Sequence, residues 1–134
     1  MATKTRSSQM NPRKRSKLRI RAKVEGSFDR PRVSVFRSSK HMYAQVIIDV
    51  GGNTVAAAST LDEEVVKRIK DLGGGESTSF SKKSAAAARI VGEVLAERCK
   101  SAGYGRVVFD RNGFEYWGRV RALAEGARSA GLVF

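Results

Sequence analysis

The stretch Arg32 to Asp49, RVSVFRSSKHMYAQVIID, decides how this chain folds. Side chains alternate at period two on both sides of a polar break, Ser38-Ser39-Lys40-His41, which predicts two antiparallel strands joined by a short loop. Any even-length loop sets Phe36 opposite Tyr43, Ser34 opposite Gln45, and Val33 and Val35 opposite Val46 and Ala44. One face then carries Val33, Val35, Met42, Ala44, Val46 and Ile48, fit to lie on helices. The other carries Ser34, Phe36, His41, Tyr43 and Gln45, with Arg32, Arg37 and Lys40 beside them. A face at once aromatic, hydrogen-bonding and cationic suits stacking on unpaired bases or packing along a sugar-phosphate groove. The same two rings would also serve as an ordinary cross-strand pair under a loop.

Downstream, Val50-Gly51-Gly52-Asn53 reads as a turn and residues 54 to 60 (TVAAAST) as a third strand. Simple pairing around that turn sets Val55, Ala57 and Ser59 on the apolar face and Ala56, Ala58 and Thr60 on the other. Residues 61 to 72 (LDEEVVKRIKDL), acidic first and basic after, predict a short exposed helix. Gly73-Gly74-Gly75 breaks it. With no strand before it and no Lys-Ser or Lys-Thr after it, the triple glycine reads as a linker and not as a phosphate loop. Residues 77 to 83 lead into a long helix that buries Ala88, Val91, Leu95, Cys99 and Ala102, joined by Ala87 and Val94, with Gly103 as its cap. Residues 106 to 110 (RVVFD) predict a buried strand that follows a helix, and therefore one added by a crossover, parallel to its neighbour. A last helix buries Val120, Leu123, Ala124 and Ala127 and stops at Gly131. The fold class is α/β, a mixed sheet in the order βββαβα with helices on one face. That arrangement leaves the aromatic face of the hairpin uncovered.

Upstream lies a basic arm, residues 1 to 26, before a single globular domain, residues 27 to 134. The first eleven residues lack periodicity and apolar surface, and disorder is expected there. From Pro12 to Val24, PRKRSKLRIRAKV, the chain carries Arg13, Lys14, Arg15, Lys17, Arg19, Arg21 and Lys23. Pro12 suits a first helical turn and Gly26 an end, yet so many like charges oppose a helix in water, so folding or docking on a polyanion is expected. Pro31 then biases Arg30 toward extended backbone at the entry to the first strand.

The 134 residues suffice for one core without disulfides or metal. The net charge is +13, but residues 1 to 40 hold +11 of it and the remainder only +2. A cationic head on a near-neutral body is built for a polyanion. One cysteine, Cys99, excludes an internal disulfide, and one Cys with one His excludes a zinc constellation. No cofactor is implied. No apolar run reaches 18 residues and no secretory pattern opens the chain, so export and membrane insertion are not expected. The acid-free head has the composition of a transit peptide but almost nothing apolar before Leu18.

The βββαβα order is also that of ribonuclease-H-like nucleases. Two-metal chemistry needs several converging carboxylates, and here Asp49 and Asp110 stand at strand ends without a third acid beside them. His41 has no acidic neighbour, and no Ser or Cys shows the setting of an activated nucleophile. Catalysis is not expected. The other concentrated polar stretch, residues 110 to 119 (DRNGFEYWGR), sits between a strand and a helix. It carries Arg111, Asn112 and Arg119 around Phe114, Tyr116 and Trp117, with Phe114 expected to cap the core and the arginines to meet phosphate.

Four segments, RPRVSVFRSSKHMYAQVIID, TVAAASTLD, VGEVLAERCKSAG and VVFDRNGFEYWGRVRALAEGARSAGLVF, in this order and spacing, resemble the bacterial form of large-subunit ribosomal protein eighteen. The resemblance covers roughly Leu18 to Phe134. It implies a structural ribosomal protein that binds 5S rRNA and helps attach it to 23S rRNA in the central protuberance of the large subunit. Large-subunit protein five would be a neighbour, and the location would be the cytoplasm, in the ribosome. The 5S contacts would fall on the arm and on Arg30, Arg32, Phe36, Arg37, Ser38, Ser39, Lys40, His41, Tyr43 and Gln45. The loop with Arg111, Asn112, Tyr116, Trp117 and Arg119 would be a second RNA contact. Trp117 departs from the family's usual histidine and Asn112 from a common glycine. The alternatives are another ribosomal RNA-binding protein of this fold and a metal-dependent nuclease.

Overall fold

A computed structural model describes residues 11–73 and 85–134. Their elements are α1 (Pro12–Arg21), β1 (Arg32–Arg37), β2 (Met42–Ile48), β3 (Asn53–Ser59), α2 (Glu63–Gly73), α3 (Ala85–Ser101), β4 (Val108–Asp110) and α4 (Gly118–Ser129). The sheet order is β3-β2-β1-β4. β1 and β2 pair antiparallel with Ser34 opposite Gln45 and Phe36 opposite Tyr43, the register that the alternation predicts. β4 joins β1 in parallel, with Val33 opposite Phe109. The crossover through α2 and α3 makes that parallel pairing possible.

Val33, Val35, Met42, Ala44, Val46 and Ile48 are all buried. They face α3 and α4, whose Val91, Val94, Leu95, Val120 and Leu123 complete the core. α3 and α4 cross closely because Gly92 meets the backbone of Leu123 and Gly126 meets that of Arg89. A side chain at either position would force the helices apart. The apolar stripe of α3 differs from expectation at its ends: Ile90 and Ala96 are buried, whereas Ala102 is exposed beyond the last turn. Gly103, at φ +96°, caps α3, and the Tyr104 N–H reaches back to the Cys99 carbonyl.

The third strand corrects the sequence reading. A bulge between Val46 and Ile47 leaves Val55 unpaired, so Val46 faces Ala56 and Ala44 faces Ala58. One extra residue reverses the parity of the strand. Ala58 and Thr60 are therefore buried, while Ala57 is exposed on the open face.

The arm also departs from expectation, because residues 12 to 21 are helical in the chain itself. The Asn11 side chain caps the Lys14 N–H at 2.7 Å, and Arg19 and Arg21 favour the carbonyl end of the helix dipole. Arg13, Ser16, Ile20 and Arg21, which recur at helical spacing, are its half-buried side. Gly26 does not end this helix, which stops at Ala22; instead its buried N–H donates to the Asp49 carboxylate. Residues 1 to 10 and the connector 74 to 84 lie outside the described residues, with the expectations placed on them. Among the described residues no helix is long and apolar enough to cross a membrane.

Candidate nucleic-acid interface

The two arms of the hairpin and a loop distant in sequence meet on the open face of the sheet. β1 and its loop bring Ser34, Phe36 and Ser38, β2 brings Tyr43 and Gln45, and the loop after β4 brings Asn112; together they line an open cleft of about 460 Å³. The Phe36 ring tilts against Tyr43 with centroids 6.2 Å apart and meets Phe114 nearly edge-on at 5.7 Å. Phe36 is 45% exposed and Phe114 only 8%, so Phe114 supports the ring that Phe36 presents. Tyr43, half-buried, has His41 edge-on at 6.3 Å. Two aromatic rings, Phe36 and Tyr43, line the cleft and offer faces on which bases can stack.

Cations surround it. The Arg13 guanidinium from α1 lies 4.0 Å from the Phe114 centroid and 5.4 Å from that of Phe36, and Arg37 lies 5.2 Å from Phe114. Arg13 can come so close because Gly113 lets the α1 backbone rest against it. Arg13, Arg37, Arg111 and Phe114, with Glu115, line a second hollow of about 290 Å³. The buried Nε of Arg13 has no partner there. Arg111 donates to the Phe114 carbonyl at 2.7 Å and Arg119 to the Ser38 carbonyl at 3.1 Å, which ties the start of α4 to the hairpin loop. Burial, and then the neighbouring charge of Arg37, push the Arg119 guanidinium below its ordinary value.

Among the described residues no carboxylate forms an ion pair with Arg13, Arg37, Arg111 or Arg119. On the helical side the contrast is plain: Arg68, Arg89, Arg98 and Arg121 each pair with a Glu or Asp. Unneutralised arginines that also repel one another leave a local field which an anion would relieve.

Not every candidate contributes to this surface. Arg32 is only 11% exposed; it bonds Asp49 at 2.9 and 3.1 Å and Asp110 at 2.9 Å, so its guanidinium is committed inside the protein. Asp49 and Asp110, the two acids that a nuclease reading would need, do converge, and Arg32 fills the space between them. Arg21 is likewise shared between Asp49 at 3.4 Å and the Val24 carbonyl at 3.1 Å. Lys14, Arg15, Lys17 and Arg19 are exposed along α1, and Arg30 is exposed in the turn held by Ser27. Ser39 and Lys40 are exposed at the loop tip, where the Ser38 hydroxyl accepts from the N–H of His41 at 2.9 Å. Tyr116 packs edge-on against Phe109 at 5.9 Å. Trp117, 69% exposed, lies apart from the cleft in a groove with Ala85, Arg121 and Ala122.

Asn112 is buried at φ +54°, its N–H bonded to Asp110 at 2.8 Å. Asn tolerates this left-handed conformation better than other non-glycine side chains. Sequence reasoning missed Thr60, whose hydroxyl bonds His41; only the bulge brings it inside, and no local signal marks that bulge.

A family model described as ribosomal L18 of archaea, bacteria, mitochondria and chloroplast matches residues 7–134. The chain is 53% identical over 125 residues to the large ribosomal subunit protein uL18 of Thermomicrobium roseum, covering 93% of this chain and 94% of that one. It is 55% identical over 122 residues to uL18 of Sorangium cellulosum, covering 91% and 94%. To uL18 of Desulforudis audaxviator it is 48% identical over 129 residues, covering 96% and 98%.

Proposed function

The chain belongs to the ribosomal L18 family, a family of structural and non-enzymatic proteins of the large ribosomal subunit, and from that premise we propose that it binds 5S rRNA through the open face of its sheet. The observation that carries this reading is the cleft itself: exposed Phe36 and half-buried Tyr43 beside Arg13, Arg37 and Arg119, none of which pairs with a carboxylate among the described residues. Stacking supplies contact with unpaired bases, and Arg37, Arg119 and the α1 cations supply phosphate contacts. The exposed side of α1 lies along the RNA backbone, and the loop from Arg111 to Arg119 forms a second contact. Through these surfaces the protein helps attach 5S rRNA to 23S rRNA in the central protuberance, beside large-subunit protein five.

Binding of the purified chain to 5S and 16S rRNA across a salt series, followed by footprinting of the 5S complex, tests this. The expectation is preferential 5S binding with protection near unpaired nucleotides. Equal affinity for the two RNAs would reject it.

A further inference from the structure

Thr60 has no place in the stacking platform, yet it is fully buried just beyond β3 and touches the hairpin loop. Its Oγ1 lies 3.2 Å from the Met42 backbone nitrogen and 2.9 Å from Nδ1 of His41. The Met42 N–H can only donate, so Oγ1 accepts from it. The hydroxyl proton then has one described partner in reach, Nδ1. Were Nδ1 to carry the ring proton, Oγ1 would accept twice and the hydroxyl proton would be buried with no acceptor. An unmade buried donor disfavours that arrangement by about tenfold or more. The neutral ring therefore carries its proton on Nε2, which is neither buried nor bonded to a described group.

We infer that Thr60 is a positioning residue, which holds Nδ1 of His41 as an acceptor so that the loop presents one fixed donor, Nε2–H, to a hydrogen-bond acceptor on the bound RNA. This rests on the RNA-binding reading above. Arg37 and Lys40, both exposed, bring charge for phosphate, which carries no sequence information. A donor held in one orientation beside the Tyr43 ring adds direction, and so acts on which nucleotide fits.

The test uses the full chain. Nitrogen NMR at alkaline pH, on protein with labelled histidine, should show an unprotonated Nδ1 and a protonated Nε2; the reverse, or an even mixture, overturns the inference. Thr60→Val should yield a mixture and Thr60→Ser should restore the single form. If the valine variant does not fold, the unaltered chain and the serine variant still decide. His41→Gln, whose amide can reach the position of Nε2, should bind 5S RNA about tenfold more tightly than His41→Asn, whose amide cannot. Equal affinity of the two variants overturns the proposed role. Absence of any 5S binding by the unaltered chain would overturn the underlying reading and the donor's role with it, while the tautomer measured on free protein would stand.

Discussion

Arg32 grips Asp49 through two bonds, Nε to Oδ2 at 3.1 Å and Nη2 to Oδ1 at 2.9 Å, and spends its remaining Nη1 on Asp110. One guanidinium thereby joins the start of β1, the end of β2 and the end of β4. The Gly26 N–H and Arg21 converge on the same Asp49 carboxylate, so this clasp also anchors the root of the arm.

Arg32→Ala leaves the buried Asp110 without a cation and Asp49 with only the longer contact from Arg21, and should destabilise the fold by about 3 kcal/mol in urea unfolding. The hydrogen bonds from Arg32 hold the Asp49 carboxyl well below the usual carboxylate range, despite the opposing effect of burial. A depressed folded value means that its contribution is complete above the unfolded value, about pH 4, and is lost as pH falls toward the folded one. Stability should therefore drop between about pH 4 and pH 2, and Asp49→Asn should flatten that drop. An Arg32→Ala chain as stable as the original, or an unchanged acid profile for Asp49→Asn, would contradict the clasp.

Phe36→Ala and Tyr43→Ala should each weaken 5S RNA binding by roughly 1 to 3 kcal/mol, the range for one stacked base, without altering the slope of affinity against salt. Phe36 is exposed, so its loss should leave thermal stability nearly unchanged. Unfolding of the Phe36 variant would mark the ring as core.

If the arm and hairpin neutralise about six phosphates, the log affinity should fall with log salt at a slope of roughly −4 to −5. Removal of residues 1 to 24 should flatten that slope and preserve the sheet, because α1 has no fully buried residue. An unchanged slope in the truncated chain would exclude the arm from the contact.

Asn112→Gly should leave stability within about 0.5 kcal/mol, while Asn112→Ala should lose about 1 kcal/mol from its positive φ. Thermal unfolding of the two variants checks this. An alanine variant as stable as the glycine one would remove the conformational account of the position.

Much of the site was legible because the hairpin is local: its loop and its alternation determine which side chains share a face. Arg32 and Arg37 show where legibility stops. Both flank the same strand and both read as RNA contacts, yet one is enclosed by Asp49 and Asp110 and the other is open. The difference comes from β4, which lies 71 residues after β1 ends and brings Asp110 to Ser34. The helix of the arm was hidden for a similar reason, because its charges argue against it locally while Asn11, Gly113 and Asp49 support it from outside its own sequence.

Taken alone, the order of residues determined the hairpin register, the parallel fourth strand, the two apolar helices and the concentration of charge in the first 40 positions, since each follows from periodicity or from counting. Three things waited on the tertiary structure: the bulge that turns Thr60 inward, the pairing that withdraws Arg21 and Arg32, and the meeting of Arg13, Phe36 and Phe114. Each depends on how distant backbones approach one another, and that distance is set by packing across the core, which no local pattern encodes.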